Sequence, residues 1–191
     1  MQNFNIVEKI KNLKPLKVAE QELLMEDAWE IYTRIGTIQN ENTGQNATFV
    51  NNAFDKIIRH TGFDLRIIRK LAVAYQKAIL AWTEPVNKSH KEHPNFVGYS
   101  NYVSKIFFTD KQKNVKIYYI RFTLQNLKTK LKTEQRSQFH SAYVSNVELY
   151  KEDASAIFPA LAVRRGAEAS LDKRLAQFFD KSREITKGVQ T

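Results

Sequence analysis

Residues 116–136 read KIYYIRFTLQNLKTKLKTEQR and carry two periods at once. Ile117, Ile120, Leu124, Leu127 and Leu131 fall at the three- and four-residue steps of a helix. The front of the stretch, VKIYYIRF at 115–122, is instead dense in the β-branched and aromatic residues that favour strands. A helix over at least 123–138 satisfies the leucines. Residues 102–121 stay open between hairpin and helix, because YVSKIFF and VKIYYIRF flank TDKQKN, a loop of hairpin composition.

Outward from this stretch the punctuation reads as helical. Asn5 is placed to cap a short helix carrying Ile6, Ile10 and Leu13, with Glu8 at the capping-box position and Pro15 beyond its end. From residue 18 to 35, Leu24, Ala28, Ile31 and Ile35 share one helical face, and Gly36 stops it. IQNENTGQN is a turn-rich loop. Thr48 is placed to cap a helix bearing Val50, Ala53, Phe54, Ile57 and Ile58. Asp64 is placed to cap another, with Ile68, Leu71, Tyr75, Ile79 and Trp82 on its apolar side and Pro85 at its close. These two helices, joined through TGFD, also have the outline of a helix-turn-helix, though any two packed helices share it.

In the last third, Phe139, Tyr143, Val147 and Tyr150 follow helical spacing, although AYVSNVELY is also acceptable as a strand. A final helix carries Leu171, Leu175, Phe178, Phe179 and Ile185. The expected fold class is therefore mainly α: a single helical domain over 1–191, with a possible β-hairpin around 102–122. The polar loop 85–95 is the candidate subdomain boundary.

Composition narrows the function classes. At 191 residues, with 42% hydrophobic and 12% aromatic residues, the chain has the material for one core. Six glycines and four prolines are too few for a loop-rich sandwich. The lack of cysteine excludes disulfides, thiolate zinc sites, iron–sulfur clusters and cysteine nucleophiles. The N-terminus has no continuous apolar run of the signal-peptide type, and no stretch reaches the roughly 18 apolar residues of a membrane span. A soluble, cytoplasmic protein without membrane partners is the simplest expectation.

The net charge of +10 is unevenly spread: −1 over residues 1–60, +3 over 61–100, +7 over 101–140 and +1 over 141–191. If residues 116–138 are a helix, Arg121, Gln125, Lys128, Lys132 and Arg136 form a cationic stripe beside the apolar seam. Glu134 is the only acid between Lys111 and Ser145, so these cations lack carboxylates one turn away. A partner that brings negative charge follows from that, and phosphate is the commonest such group. A merely solubilising basic surface is the bland alternative.

The expected contact set is Lys116, Arg121, Lys128, Lys130, Lys132 and Arg136, extended by Arg66, Lys70, Arg164 and Arg165. Tyr102, Tyr118 and Tyr119 are the candidates for base stacking. The function expected from this is a non-enzymatic nucleic-acid-binding protein, DNA or RNA, acting within a nucleoprotein assembly or as an accessory factor. The alternative is a self-assembling coat, nucleocapsid or scaffold subunit, or a protein that sets its basic face against an acidic partner. In the doublets Phe107–Phe108 and Phe178–Phe179 adjacent rings spread wider than one core face normally takes, so each pair fits either a wide buried face or one ring turned to a partner chain.

Catalysis has little to stand on. His90 and His93 flank Glu92 without further ligands nearby, so no metal site is expected. Arg136 and His140, four apart, are the only pair suggestive of a nuclease. No phosphate-cradling glycine loop or nucleophile elbow occurs, and no cofactor is implied.

Overall fold

The computed structural model describes residues 2–59, 63–85, 96–109, 112–128 and 140–151. In chain order these form α1 (Gln2–Lys11), β1 (Leu16–Lys17), α2 (Met25–Thr33), β2 (Thr37–Gln39), β3 (Asn46–Phe49) and α3 (Asn51–Ile58). A 3-10 helix (Leu65–Lys70) then runs into α4 (Leu71–Gln76), followed by β4 (Ile79–Pro85), β5 (Phe96–Thr109), β6 (Val115–Lys128) and β7 (His140–Lys151). The result is mainly β, a curled mixed sheet of seven strands in the form of a half-barrel, and not the mainly α fold expected from spacing.

The disputed stretch is a strand as far as Lys128, and its geometry explains the helical pattern. Ile120 and Leu124 are four apart, a step that keeps one face in a helix and in a strand alike. The residue that separates the two cases is Phe122. It falls off the helical stripe, yet it is fully buried in the main core between Ile120 and Leu124. Ile117 and Leu127, which the helix would bury, stay outside that core. Residues 129–138 of the expected helix lie outside the described residues.

Two other helical patterns come from β-bulges. In β7 the register slips at Ser145, so Val144 pairs with Leu124 and Asn146 with Thr123. The extra residue puts Val144 and Val147, three apart, into one core. In β4 a slip between Leu80 and Trp82 sets Ile79 opposite Val103 and Trp82 opposite Asn101, again three apart on one face. The helix expected from Asp64 through Trp82 therefore ends at Gln76, and β4 begins at Ile79. Asp64 does cap the helical start, its Oδ1 accepting from the Arg66 N–H at 3.0 Å.

The helix expected over 18–35 is confined to Met25–Thr33. Thr48 lies in β3 rather than at a helix start, and IQNENTGQN is a hairpin joining β2 to β3. Its turn is tied down by Asn40, which is fully buried. The Asn40 amide donates to the Tyr75 and Ala78 carbonyls, both at 2.8 Å. Its Oδ1 accepts from the N–H groups of Asn42 and Thr43 and from the Thr43 hydroxyl. The turn thus closes the carbonyl end of α4 with side-chain donors, which is why a polar loop can sit against the core.

Within the sheet the order is β1-β5-β6-β7-β3-β2, with β4 also on β5. The first half of β5 takes β4 antiparallel, and its second half takes β1 parallel at Leu16↔Ile106. On the other side β7 takes β3 in parallel. The inner face holds the main core, where Tyr32, Phe49, Tyr75, Tyr102 and Phe122 meet edge to face with ring centres 5.3–6.3 Å apart and Phe54 lies tilted against Tyr32 at 5.2 Å. Burial pushes the phenols of Tyr32, Tyr75 and Tyr102 above the usual tyrosine range. The outer face carries a second cluster of Ile10, Ala81, Val103 and Tyr119, against which Ile6 and Leu13 pack.

Strand and helix readings of 116–128 separate experimentally. Phe122→Ala is expected to cost about 3–5 kcal/mol, the usual loss for a buried aromatic, and Ile117→Ala distinctly less. Urea unfolding of the two variants checks this, since a helix with the expected seam reverses the order.

Candidate functional site

Among the described residues, the cations named from sequence do not share one stripe. Arg121 is buried, and its guanidinium pairs with Glu148, its register partner on β7. Its guanidinium carbon lies 5.5 Å from the Tyr150 ring centre and 5.9 Å from that of Trp82. The acid missing from its sequence neighbourhood is thus supplied across the sheet, from 27 residues away. The expectation of an unpaired cation at Arg121 is overturned on that ground.

Arg66 is also committed to the fold. Its guanidinium takes both Asp64 oxygens, at 2.9 and 2.6 Å, reaches the Glu20 carbonyl at 3.3 Å and lies over the Phe108 ring at 4.9 Å. Burial alone would raise the Asp64 carboxyl. The Arg66 side chain, its backbone N–H and its charge together outweigh this and hold Asp64 below the usual carboxylate value. Lys70 is half-buried at the end of the same 3-10 helix.

Lys116 is exposed beside the β5–β6 hairpin tip, opposite Phe108, whereas Lys128 pairs with His140 at the other end of β6. Twelve strand residues separate them, about 40 Å at the usual rise, so one phosphate patch does not hold both. Lys130, Lys132, Arg136, Arg164 and Arg165 lie outside the described residues, as do His90, His93 and the side chain of His140.

Of the three stacking candidates, Tyr102 and Tyr119 are buried at 2% and 3% exposure and present no face to a base. The Tyr102 hydroxyl bonds that of Thr43 at 3.0 Å. Tyr119 belongs to the outer-face cluster and lies 5.5 Å below the Lys105 ammonium. Tyr118 is half-buried and stacks on Phe108, with ring centres 5.1 Å apart. Phe108 meets both Arg66 and Tyr118 and is buried, which places one ring of the Phe107–Phe108 doublet in the core.

Two features were not legible as sites in the sequence. The first is the polar network on the outer face. Glu84 Oε1 accepts from Trp82 Nε1 at 2.9 Å and from the Asn101 amide at 3.1 Å, and Asn101 Oδ1 accepts from the Thr123 hydroxyl at 3.0 Å. Glu148 also accepts from the Tyr150 hydroxyl at 2.7 Å. Glu84, Asn101, Arg121 and Glu148 are all buried. Their one sequence signal is polar residues at alternate positions inside apolar strands, as in Arg121 and Thr123. Arg121 and Glu148 neutralise each other while Trp82 and Asn101 orient Glu84, and a buried ion pair of this kind fixes register more than it adds stability.

The second feature is one end of the sheet. Pro85 pairs with Gly98, Phe96 with Leu127 and Lys128 with His140, so the β4–β5 and β6–β7 connections both leave from that end. At the strand spacing of about 4.8 Å, their starting points lie within about 15 Å of each other. In sequence the two connections carry Lys88, Lys91, Lys130, Lys132 and Arg136, with Lys128 at the root of the second. Their acids are Glu92 and Glu134.

Among the described residues, no group of three or more His, Asp or Glu is arranged to hold a metal, and no helix is long and apolar enough to cross a membrane. No curated protein and no solved structure matches the chain. A family model does: residues 21–123 match the large polyvalent protein-associated domain 3, and the chain belongs to that family. The family description names no ligand and no reaction. The matched span runs from the approach to α2 to the middle of β6, and so contains Arg121 but not its partner Glu148.

Two consequences follow from the paired charges. Glu148→Gln strands a buried guanidinium and is expected to cost about 3–5 kcal/mol in urea unfolding, whereas Arg121→Met combined with Glu148→Leu recovers most of that loss. For Asp64 the folded pKa lies below its unfolded value, so its contribution is present above the ordinary value of 3.8 and fades as pH falls through the folded value. The stability gap between the wild type and Asp64→Asn is therefore full at pH 7 and closes below about pH 4, measured by unfolding across that range.

Proposed function

We propose that this member of the large polyvalent protein-associated domain 3 family is a nucleic-acid-binding module without a catalytic role. Phosphate is the group it contacts, from the end of the sheet where the β4–β5 and β6–β7 connections begin. The observation that supports the reading is the pairing at Pro85↔Gly98, Phe96↔Leu127 and Lys128↔His140. It brings the starts of two cation-bearing segments together, although more than 40 residues separate Lys88 from Lys130 in the chain. Their own segments hold only Glu92 and Glu134 as acids, and a polyanion lowers the mutual repulsion of the cations.

The residues assigned to phosphate differ from the helical stripe expected from spacing. Arg66, Arg121, Tyr102 and Tyr119 leave the set because the fold uses them. Lys128, Lys130, Lys132 and Arg136 stay, and Lys88 and Lys91 join. No base-reading element supports sequence specificity, so binding is expected to be governed by phosphate charge and salt.

The test is a salt series of fluorescence anisotropy with a labelled single-stranded 20-mer, as DNA and as RNA. Replacing Lys128, Lys130, Lys132 and Arg136 with alanine is expected to weaken binding of all sequences and to flatten the log–log salt slope by about 0.7 for each phosphate left without its cation. Lys116→Ala, at the far end of β6, leaves both unchanged. If the fourfold variant keeps the affinity and the slope of the wild type, this end of the sheet does not bind the phosphates.

A further inference from the structure

Among the described residues four large apolar side chains are exposed: Leu24 at 69%, Met25 at 47%, Trp29 at 40% and Val115 at 60%. Three of the four fall within six residues, on the approach to α2 and along its outer side. Met25 and Trp29 are four apart and so share a helix face, and Leu24 is the residue just before the helix. The indole is not loose. It meets the Phe54 ring edge to face with ring centres 5.0 Å apart, and Phe54 packs against the fully buried Tyr32. A held tryptophan beside a methionine and a leucine is the kind of anchor that recurs at interface centres.

The charges around it run against the rest of the chain. Residues 20–30 contain Glu20, Glu22, Glu26, Asp27 and Glu30 and no lysine or arginine, in a protein of net charge +10. All five carboxylates are exposed. Glu30 pairs with Arg34, and Glu20 lies 4.0 Å from Lys17. Glu26 and Asp27 form no ion pair with another described residue. The helix dipole accounts for two acids in the first turn of α2, but not for Glu20, Glu22 or Glu30, nor for the apolar exposure among them.

The approach to the helix is braced from behind. Arg69 donates to the carbonyls of Gln21 and Glu22 at 2.8 and 3.3 Å, and Arg66 to that of Glu20 at 3.3 Å. These guanidiniums direct their donors to backbone and to Asp64. The ledge is thus built in place before any partner arrives, which reduces the ordering cost of binding.

We infer that this ledge docks a lysine- or arginine-rich amphipathic segment of a partner polypeptide. Apolar residues of the partner cover Leu24, Met25 and Trp29, and its cations meet the ring of carboxylates. Charge complementarity selects this occupant: a cationic segment is repelled by the net positive charge of the chain and attracted where residues 20–30 reverse the sign. The inference is independent of the phosphate contact, which lies on the β4–β7 end of the sheet.

The probe is an 18-residue peptide of alternating lysine and leucine patches with helical period. It is compared with a lysine–serine peptide of equal charge and a glutamate–leucine peptide of equal apolarity. Binding is read by anisotropy of the labelled peptide and by Trp29 emission in a Trp82→Phe background. The lysine–leucine peptide is expected to bind at least tenfold tighter than either control and to shift Trp29 emission to the blue. Glu26→Lys with Asp27→Lys, and separately Met25→Ser, each lower its affinity tenfold or more with the circular dichroism unchanged. The alanine variant at Lys128, Lys130, Lys132 and Arg136 leaves it intact.

Equal binding of the lysine–serine peptide, or indifference to the ledge variants, overturns the inference. So does self-association of the protein alone that Met25→Ser abolishes, since the occupant is then a second copy.

Discussion

The antiparallel pairing of β5 with β6 is the constraint on which the rest depends. It runs from Phe96↔Leu127 to Thr109↔Val115, long enough for each strand to take further partners on its outer side. β4 and β1 share the free edge of β5 end to end, and β7 takes the free edge of β6. A ribbon of this length twists, and twist turns seven strands into a half-barrel whose inside the helices fill. Tyr102, Ile106, Ile120, Phe122 and Leu124 line that inside because they alternate along two strands held in one register. A slip by one residue exchanges them with Val103, Tyr119 and Arg121 on the other face, so register and core specify each other.

The outer face shows how the same ribbon treats charge. Arg121 is brought within pairing distance of Glu148 by the β6–β7 register, and Glu84 gathers Trp82 and Asn101 across the β4–β5 register. Residues that look like binding groups in the sequence are thereby satisfied within the fold. The same reasoning disposes of Arg66, which Asp64 and Phe108 hold in place. Other charges of the chain gather at two separate places of opposite sign. The cations cluster in sequence around the sheet end where β4, β5, β6 and β7 begin or finish, and the carboxylates of residues 20–30 lie in sequence among Leu24, Met25 and Trp29.

Part of this was legible in the residues. Asp64 was recognisable as a helix cap, the hairpin loop TDKQKN as the link between YVSKIFF and VKIYYIRF, and AYVSNVELY as a segment able to form a strand. The concentration of positive charge after residue 100 was also visible, although its arrangement was not. The errors share a cause. Ile120 and Leu124, Val144 and Val147, and Ile79 and Trp82 stand three or four apart, and each pair shares a face in the sheet. The first pair does so because four is an even number, the other two because a bulge adds a residue. Spacing in a single sequence does not separate these cases from a helix. The β-branched and aromatic content of residues 115–122 did, and it extended further than the leucines suggested.

By itself the sequence determined local chemistry: which residues are apolar, where glycine, proline and aspartate interrupt, the absence of thiol chemistry, and the total and regional charge. It also determined the acidic run at 20–30 and its apolar residues, since these are contiguous. Only the tertiary structure decided which face each strand residue takes, that Arg121 has Glu148 as its partner and that Tyr102 and Tyr119 are inside. It alone brought two distant connections to one end of the sheet. The physical reason is the range of the interactions. Capping, turn formation and charge density act over a few residues and are written side by side, whereas strand pairing also joins residues as distant as Arg121 and Glu148, or Ala47 and Ala142, through a backbone register that no local pattern records.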